Sequence, residues 1–507
     1  MTNSMMDSDR IESTAFSQTG LHAISSWLDA PPPLNTPDDL LPLLSHLATL
    51  RASQVTPEQR ALVLERLYTR SISVLKTLLP ALSSVALPIP ITRKTRQLIR
   101  SLQNLLRTLA EDLLAAHNSD DGEQIHGQRQ APDLTLWRGL YALAQHLLIS
   151  NLAASPAAIG IWQQLHQTYN TARRLDLVSH MPEGVSGTIQ NIYFSSIVLA
   201  CAQPASFTSR EVDFVAAYLG RFADRIDPIP ITASKTPAAF WIDPARDAGG
   251  SACSRKSAPP ETSILYFSCA RLAALLREQL AALEAGEPPR QINLPDFAGT
   301  PAGRGVLRRL ITYWGEPGKR RFPRRRQNYR SVLCVGLDSL WRLFQEGDET
   351  SIETSSWMIT NESPDGYAVM HVSGKTGGMS VGDVTAIRTE SGDNWQICIV
   401  RWALSENHEH IELGLQILAT RAVPAFLALP AVANGARLSV LILPKIQSLR
   451  ATEMLVVPSG ALDNKPSKLI LIVEKENIEI REMKSIRLDE QNSQIEVFSI
   501  KPDSLSV

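Results

Sequence analysis

The 507-residue chain is predicted to be a multidomain α + β protein, in which an all-α helical N-terminal domain precedes an antiparallel β-barrel and additional C-terminal strands. Two observations predict this order. Apolar residues recur at helical spacings up to about residue 228, and after residue 330 short runs rich in Val, Ile and Thr alternate with glycine turns. The length also exceeds what a single hydrophobic core usually supports. We therefore expect several domains in series.

Helix signals define the N-terminal part. Leucines recur every three or four residues from Leu98 to Leu113, as in an amphipathic helix. Thr56 and Thr208 each begin a capping box ahead of an apolar run. We assign residues 1–20 to a disordered N-terminus and 21–300 to the all-α helical domain. Its polar loops are expected near 117–133 and 244–261.

The junction at 301–330 is predicted to be a short helix followed by an arginine-rich hinge. Residues 319–330 hold seven cations and no acids, although the whole chain has a net charge of −1. Such a local block concentrates positive potential and favours an anionic partner, whereas its simplest structural explanation is a solvated linker.

The C-terminal part is predicted to form β-structure. Residues 331–420 are assigned to a small antiparallel barrel, and 421–507 to either a second β-rich module or an extension of that barrel. A helix is expected to interrupt the barrel over 336–350. The predicted strands are Val332–Val335, Trp357–Thr360, Tyr367–Val372, Val384–Ile387, Gln396–Trp402 and Ile411–Leu418.

Two short elements carry a family resemblance. An RxxxR spacing in the arginine cluster is followed about thirty residues later by Asn361-x-Ser363-x-x-Gly366. In this order the pair resembles the PilZ domain, a β-barrel family that binds the bacterial second messenger cyclic di-GMP. The resemblance covers about residues 319–420 and extends to the Gly382-Asp383 turn.

The resemblance implies a binding site for cyclic di-GMP as a regulatory ligand, with no other cofactor. Arginine can stack on a base and donate paired hydrogen bonds to phosphate or guanine. Asn361 can pair with a guanine edge, Ser363 offers a hydroxyl, and Gly366 permits close approach of the backbone or a positive φ.

The cluster permits three arginine registers. We favour Arg326 with Arg330, because this pair lies immediately before the first predicted strand. The alternatives are Arg320 with Arg324 and Arg321 with Arg325.

We therefore expect a non-enzymatic cyclic di-GMP receptor that signals through its hinge to an unidentified protein partner, via the helical domain. One alternative is a nucleic-acid-binding protein with a basic arm beside a barrel. It is disfavoured because few aromatic side chains flank that arm. Another is a degenerate scaffold that no longer binds a ligand.

Other signals exclude several classes. The five cysteines are scattered and contain no CxxC pair, which predicts neither a zinc site nor a disulfide framework. The first ten residues lack the features of a secretory signal, and no apolar run is long enough to span a membrane. These features favour a cytoplasmic protein.

Overall fold

A computed structural model provides the coordinates of the chain. The residues that the structure describes are 19–84, 86–118, 132–260, 263–318, 322–346, 352–376, 378–390, 392, 394–407, 409–428, 437–445, 452–462, 468–474 and 477–503. The predicted N-terminal tail, most of the 117–133 loop, Arg320 and Arg321 lie outside these residues, apart from 19–20 of the tail.

The chain forms two compact units. The first comprises residues 1–85, 92–201 and 216–269, and the second 86–91, 202–215 and 270–507. Residues 270–300, which the sequence analysis placed in the helical domain, belong to the second unit.

The first unit is built mainly from helices. Leu102, Leu105, Leu109 and Leu113 of α4 are buried, so the predicted leucine stripe faces the core. Thr56 forms the predicted capping box with Gln59 at the start of α3. The helices are α1 (19–29), α2 (Leu40–Ala52), α3 (Pro57–Ser83), α4 (Arg93–Asn118), α5 (Pro132–Leu152), α6 (Ile161–Arg174), α7 (Ile189–Cys201) and α8 (Ser209–Phe222), the last divided between the units.

A four-stranded antiparallel sheet also lies in the first unit, so its description as all-α is corrected. The strands have only two to four residues, too few to show a period of two. The loop predicted at 244–261 contains one of them. Its Asp247 carboxylate accepts hydrogen bonds from the backbone N–H groups of Gly160 (2.6 Å) and Gln163 (3.2 Å) at the start of α6. The strands are β1 (Asp227–Ile229), β2 (Ala239–Ile242), β3 (Ser251–Ala252) and β4 (Leu265–Ser268).

The second unit contains α9 (Ala270–Glu284) and α10 (Pro301–Leu310) before its first barrel. Thr208 and Glu211 form the second predicted capping box. Glu211 is buried and also accepts a hydrogen bond from Arg309 at 2.7 Å.

Six strands and one inserted helix form the first barrel. Its closed order is β10-β7-β6-β5-β8-β9. The elements are β5 (Arg325–Val335), α11 (Leu337–Glu346), β6 (Thr354–Ser363), β7 (Gly366–Ser373), β8 (Val384–Thr389), β9 (Gln396–Ser405) and β10 (Ile411–Ala419).

Strand β5 corrects the predicted hinge. It begins at Arg325 rather than after Arg330, so the second half of the arginine cluster lies within the barrel wall. This strand start could not be predicted because the strand begins with charged residues instead of the β-branched residues that mark most strands.

The remaining strands close into a second barrel in the order β11-β12-β13-β16-β15-β14. When the strands of each barrel are numbered one to six, both barrels have the same cyclic order, 1-2-3-6-5-4. The second barrel therefore repeats the connectivity of the first. Its strands are β11 (Val423–Ala428), β12 (Arg437–Leu443), β13 (Glu453–Pro458), β14 (Lys468–Glu474), β15 (Ile478–Gln491) and β16 (Ile495–Pro502).

The predicted multidomain α + β class is thus confirmed, with a helical N-terminal region followed by antiparallel barrels. Helix α11 packs against both barrels: the Trp341 indole donates to the Ala425 carbonyl oxygen at 2.9 Å, and buried Leu340 lies in a core shared by the two barrels. None of the described helices is long and apolar enough to cross a membrane.

Asp383 occupies the predicted Gly-Asp turn before β8. Gly382 adopts a φ of +95°, which favours glycine. The Asp383 carboxylate accepts the Ser380 backbone N–H at 2.7 Å, but burial raises its pKa to about 6. Because burial penalises the ionised form, the group destabilises the fold once it loses its proton.

We expect the stability of this unit to fall as the pH rises through Asp383 titration. Its pKa is raised from 3.8 to about 6, so the folded state holds the proton more tightly than the unfolded state between these values. The cost above pH 6 is up to about 3 kcal/mol. Asp383→Asn should therefore be more stable than wild type at pH 7.5, and the difference should shrink towards pH 4.

Urea unfolding of wild type and Asp383→Asn at several pH values measures this difference. Asp224→Asn, at a side chain that is 61% exposed, is the matched control. If the free energies of unfolding of wild type and Asp383→Asn differ by the same amount from pH 4 to 7.5, the raised pKa of Asp383 would be contradicted.

Candidate functional site

Arg326 and Arg330 lie on the outer face of the first barrel. Tyr329 pairs with buried Ile359 and Ser331 with buried Trp357, so these β5 residues face the interior. Gln327 and Tyr329 both donate to Glu362, so side chains still alternate across the bulge between Arg326 and Tyr329, and Arg326 and Arg330 lie together on the opposite face, about 13 Å apart. Both arginines are exposed.

The second motif reaches the same face from β6. Asn361 pairs directly with Arg326 on one side and with Ala368 of β7 on the other. Ser363 pairs with Gly366 across the β6–β7 turn. Directly opposed residues share a face. The strand register therefore brings together the two elements that the sequence separates by about thirty residues.

The β6–β7 turn is fixed by its own hydrogen bonds. The Ser363 hydroxyl donates to Asp365 Oδ1 at 2.7 Å and lies 3.1 Å from the Gly366 carbonyl oxygen. The Asp365 carbonyl oxygen accepts the Ile417 N–H at 2.9 Å. A Cβ atom at Gly366 would overlap the Leu415 carbonyl oxygen. The absence of a side chain at Gly366 therefore allows the backbone of β10 to approach closely.

The row of outward positions continues beyond the motifs. Ala368 pairs with Gly414 of β10, and Gly414 pairs with Trp402 of β9. The Trp402 indole lies across Gly414, where a Cβ would overlap it. Arg326, Asn361, Ala368, Gly414 and Trp402 thus form one row across five strands, about 19 Å long at the usual strand spacing.

The middle of this row holds two small buried residues, Ala368 and Gly414. Arginine and asparagine stand at one end and a partly buried tryptophan at the other. Trp402 was not among the residues predicted for the site. Its spacing from Gly414 depends on the β9–β10 pairing, which contains a bulge at this point.

A polar cluster supports the end of the row from the inner side. The Tyr329 hydroxyl and the Gln327 side-chain amide both donate to Glu362 Oε2, at 3.1 and 3.2 Å. Burial, with the nearby Glu362 charge, raises the pKa of Tyr329. The phenol therefore stays protonated as a donor and holds β5 against β6.

Arg401 connects this face to the second barrel. Its Nε donates to Gln416 Oε1 at 2.6 Å, and Gln416 pairs with Gly366. Another nitrogen, Nη1, lies 2.8 Å from Glu490 Oε2 on β15. Arg401 therefore contacts the second barrel directly and reaches the β6–β7 turn through Gln416.

The alternative arginine registers are placed differently. Arg324 precedes the strand, and Arg325 pairs with Glu362, which places it on the opposite face from Arg326. Arg320 and Arg321 lie outside the described residues.

Comparison with known proteins identifies the class of this barrel. Residues 342–424 match the family model of the middle PilZ domain of the cyclic-di-GMP receptor FimW. The first barrel is therefore a PilZ domain, as the sequence analysis predicted. The matched range includes the Asn361–Gly366 element and begins after β5.

A second match covers the N-terminal region. Residues 22–231 match the model of the N-terminal domain of FimW. The Cyclic-di-GMP receptor FimW of Pseudomonas aeruginosa is 21% identical over 457 residues, covering 72% of this chain and 72% of FimW. No solved structure gives a significant match.

Proposed function

We propose that this protein is a non-enzymatic receptor for cyclic di-GMP and that the ligand binds on the outer face of the PilZ barrel. The observation that carries the proposal is the register that aligns Arg326 with Asn361 and leaves Arg330 and Ser363 on the same face. The similarity to FimW in both matched regions supports the same ligand.

The chemistry of the face suits a dianion with two guanine bases. Arg326 and Arg330 supply permanent charge and planar donors for phosphate and guanine. Asn361 offers both a donor and an acceptor to a guanine edge. Trp402, at the other end of the row, provides a surface on which a base can stack. These are binding roles, which supports a receptor rather than an enzyme.

Competition binding tests the proposal and separates it from nucleic-acid binding. Fluorescently labelled cyclic di-GMP should be displaced by unlabelled cyclic di-GMP, but not by equal concentrations of GTP, GMP or cyclic AMP. A single-stranded oligonucleotide should compete poorly. Displacement by GTP as readily as by cyclic di-GMP would refute the ligand assignment. Salt-dependent displacement by any oligonucleotide would instead favour the nucleic-acid alternative.

Trp402→Ala is expected to weaken cyclic di-GMP binding about 5- to 150-fold, because stacking of a base on an aromatic side chain contributes about 1–3 kcal/mol. Trp402→Phe, which keeps an aromatic face, should retain most of the affinity. Titration with the labelled ligand measures both variants, and equal affinities for wild type and Trp402→Ala would remove Trp402 from the site.

A path from the ligand to the second barrel follows from the same contacts. Ligand binding orders β5 and the β6–β7 turn, and the Gln416–Arg401–Glu490 contacts carry this change to the second barrel. The protein partner binds the helical unit. An open groove of about 640 Å³ there, lined by Tyr169, Arg173, Phe194, Pro230 and Tyr266, supports that role. The five free cysteines support the reducing cytoplasm as the compartment.

A further inference from the structure

The second barrel exposes an apolar surface on β14 and β15, which we call the isoleucine face. Its members are isoleucines that point away from the barrel core, since the intervening Leu471, Val473 and Met483 are buried. They are Ile470 (42% exposed), Ile478 (70%), Ile480 (64%) and Ile486 (41%).

Four β15 side chains on this face form a self-complementary pattern. In chain order they are Ile480, Glu482, Lys484 and Ile486. Ile480 and Glu482 pair with the outward Ile472 and Ile470 of β14, and Lys484 pairs with Lys468. Reversing the direction of the strand exchanges the two isoleucines and exchanges the acid with the base.

We propose that the isoleucine face is the interface of a two-fold symmetric homodimer. A two-fold axis at Met483, between Glu482 and Lys484, would set Glu482 of each copy opposite Lys484 of the other. Ile480 would then face the bulge at Ser485–Arg487 of the second copy, where Ile486 and Arg487 are both exposed. Such an isologous arrangement requires each patch to be complementary to itself, which is what this strand provides.

Neighbouring charges support the same register. Lys468, Lys484 and Lys501 lie side by side on β14, β15 and β16. With the two-fold axis at Met483, the three lysines, which lie level with Lys484, would face the residues of the second copy that lie level with Glu482. Asp503 lies close to Glu482, since its N–H donates to the Glu482 carbonyl oxygen at 3.0 Å. Lys484 would thus meet Glu482, and Lys501 would meet Asp503, which also lies 3.0 Å from Lys468 Nζ of its own copy, whereas Lys468 would lie over Ile470.

An anionic membrane is the competing occupant, because lysines beside exposed isoleucines also suit lipid headgroups. The acidic side chains on these strands disfavour a membrane as the occupant. Glu474, Glu479 and Glu482 lie on the same two strands, and Glu479 and Glu482 are exposed. A negatively charged bilayer would repel these acids, whereas a second copy would set Glu482, which lies on the isoleucine face, opposite Lys484.

Most of the free energy of dimerisation should come from burial of the isoleucines, and the charged residues should set the register of the two copies. Burying apolar surface contributes about 25 cal/mol per Å², whereas charge pairs at an interface mainly fix orientation and exclude wrong partners. Each substitution enters a two-fold interface twice. A single charge reversal therefore places like charges opposite each other at two points.

Sedimentation velocity of the full chain over a concentration series tests the proposal. Wild type should dimerise reversibly by about 100 μM, where an interface of micromolar Kd is occupied. Ile480→Asp should weaken dimerisation at least tenfold. The control is Ile231→Asp, at an isoleucine of similar exposure (65%) in the first unit, and it should dimerise as wild type does.

Charge exchange makes the test specific. Glu482→Lys and Lys484→Glu should each weaken the dimer, and the double variant Glu482→Lys/Lys484→Glu should restore it. A wild type that remains monomeric at 100 μM would overturn the proposal. So would a dimer unaffected by Ile480→Asp, or a double variant no better than the single ones. Sedimentation of monomeric wild type with phosphatidylglycerol vesicles, lost in Ile480→Asp, would assign the face to a membrane instead.

Discussion

Arg326→Ala and Arg330→Ala are each expected to weaken cyclic di-GMP binding by about 10- to 150-fold. Hydrogen bonds to a charged group contribute about 1.5–3 kcal/mol each, and each arginine can make such bonds to phosphate. Both side chains are exposed on the outer face, so their removal should leave the stability of the barrel nearly unchanged. Titration of each variant with labelled ligand measures the loss.

Arg320→Ala and Arg324→Ala control for register, because these arginines precede β5 in the chain. They should change affinity much less than the two strand arginines. If the Arg320 and Arg324 variants lose binding while the Arg326 and Arg330 variants keep it, the register is wrong although the ligand assignment survives. Thermal unfolding of each variant must match that of wild type for the comparison to count.

Gly366→Ala is expected to destabilise the first barrel by about 3 kcal/mol or more and to abolish high-affinity binding. The added Cβ would overlap the main-chain oxygen of Leu415 rather than a movable side chain, so β7 and β10 would have to separate. Overpacking typically costs about 1–3 kcal/mol, and the rigidity of the backbone places this site at the upper end.

Gly220→Ala is the matched control for this glycine. It lies inside α8, and a Cβ there meets no atom within 4 Å. Alanine favours a helix over glycine by about 1 kcal/mol, so this variant should be slightly more stable than wild type. Urea unfolding of both variants gives the comparison. A Gly366→Ala protein as stable as wild type would show that the strands at the β6–β7 turn are not packed as closely as described.

The site could be predicted in part because its motifs are local. Arg326 and Arg330 are four residues apart, and that spacing puts two side chains on one face of a regular strand. The direct pairing of Arg326 with Asn361 could not be predicted. It depends on a bulge on each side of β6, one against β5 and one against β7. Bulges shift the register without leaving a clear pattern in the sequence.

Long-range pairings account for the other omissions. Trp402 joins the site only because β10 presents Gly414 opposite it. The closure of the second barrel depends on pairing β11 with β14, across some forty residues of chain. The strands of the helical unit have two to four residues and lie among prolines, so no periodic signal marks them. Helices were predicted better, since their capping boxes and leucine stripes are contained within one segment.

Calorimetric titration of the full chain with cyclic di-GMP, in parallel with the Arg326→Ala/Arg330→Ala double variant, tests the central claim most directly. The account predicts saturable, selective binding by wild type and loss of that binding in a double variant that unfolds at the same temperature. Absence of binding by folded wild type would contradict the proposed function. Equal binding by the double variant would contradict the proposed site.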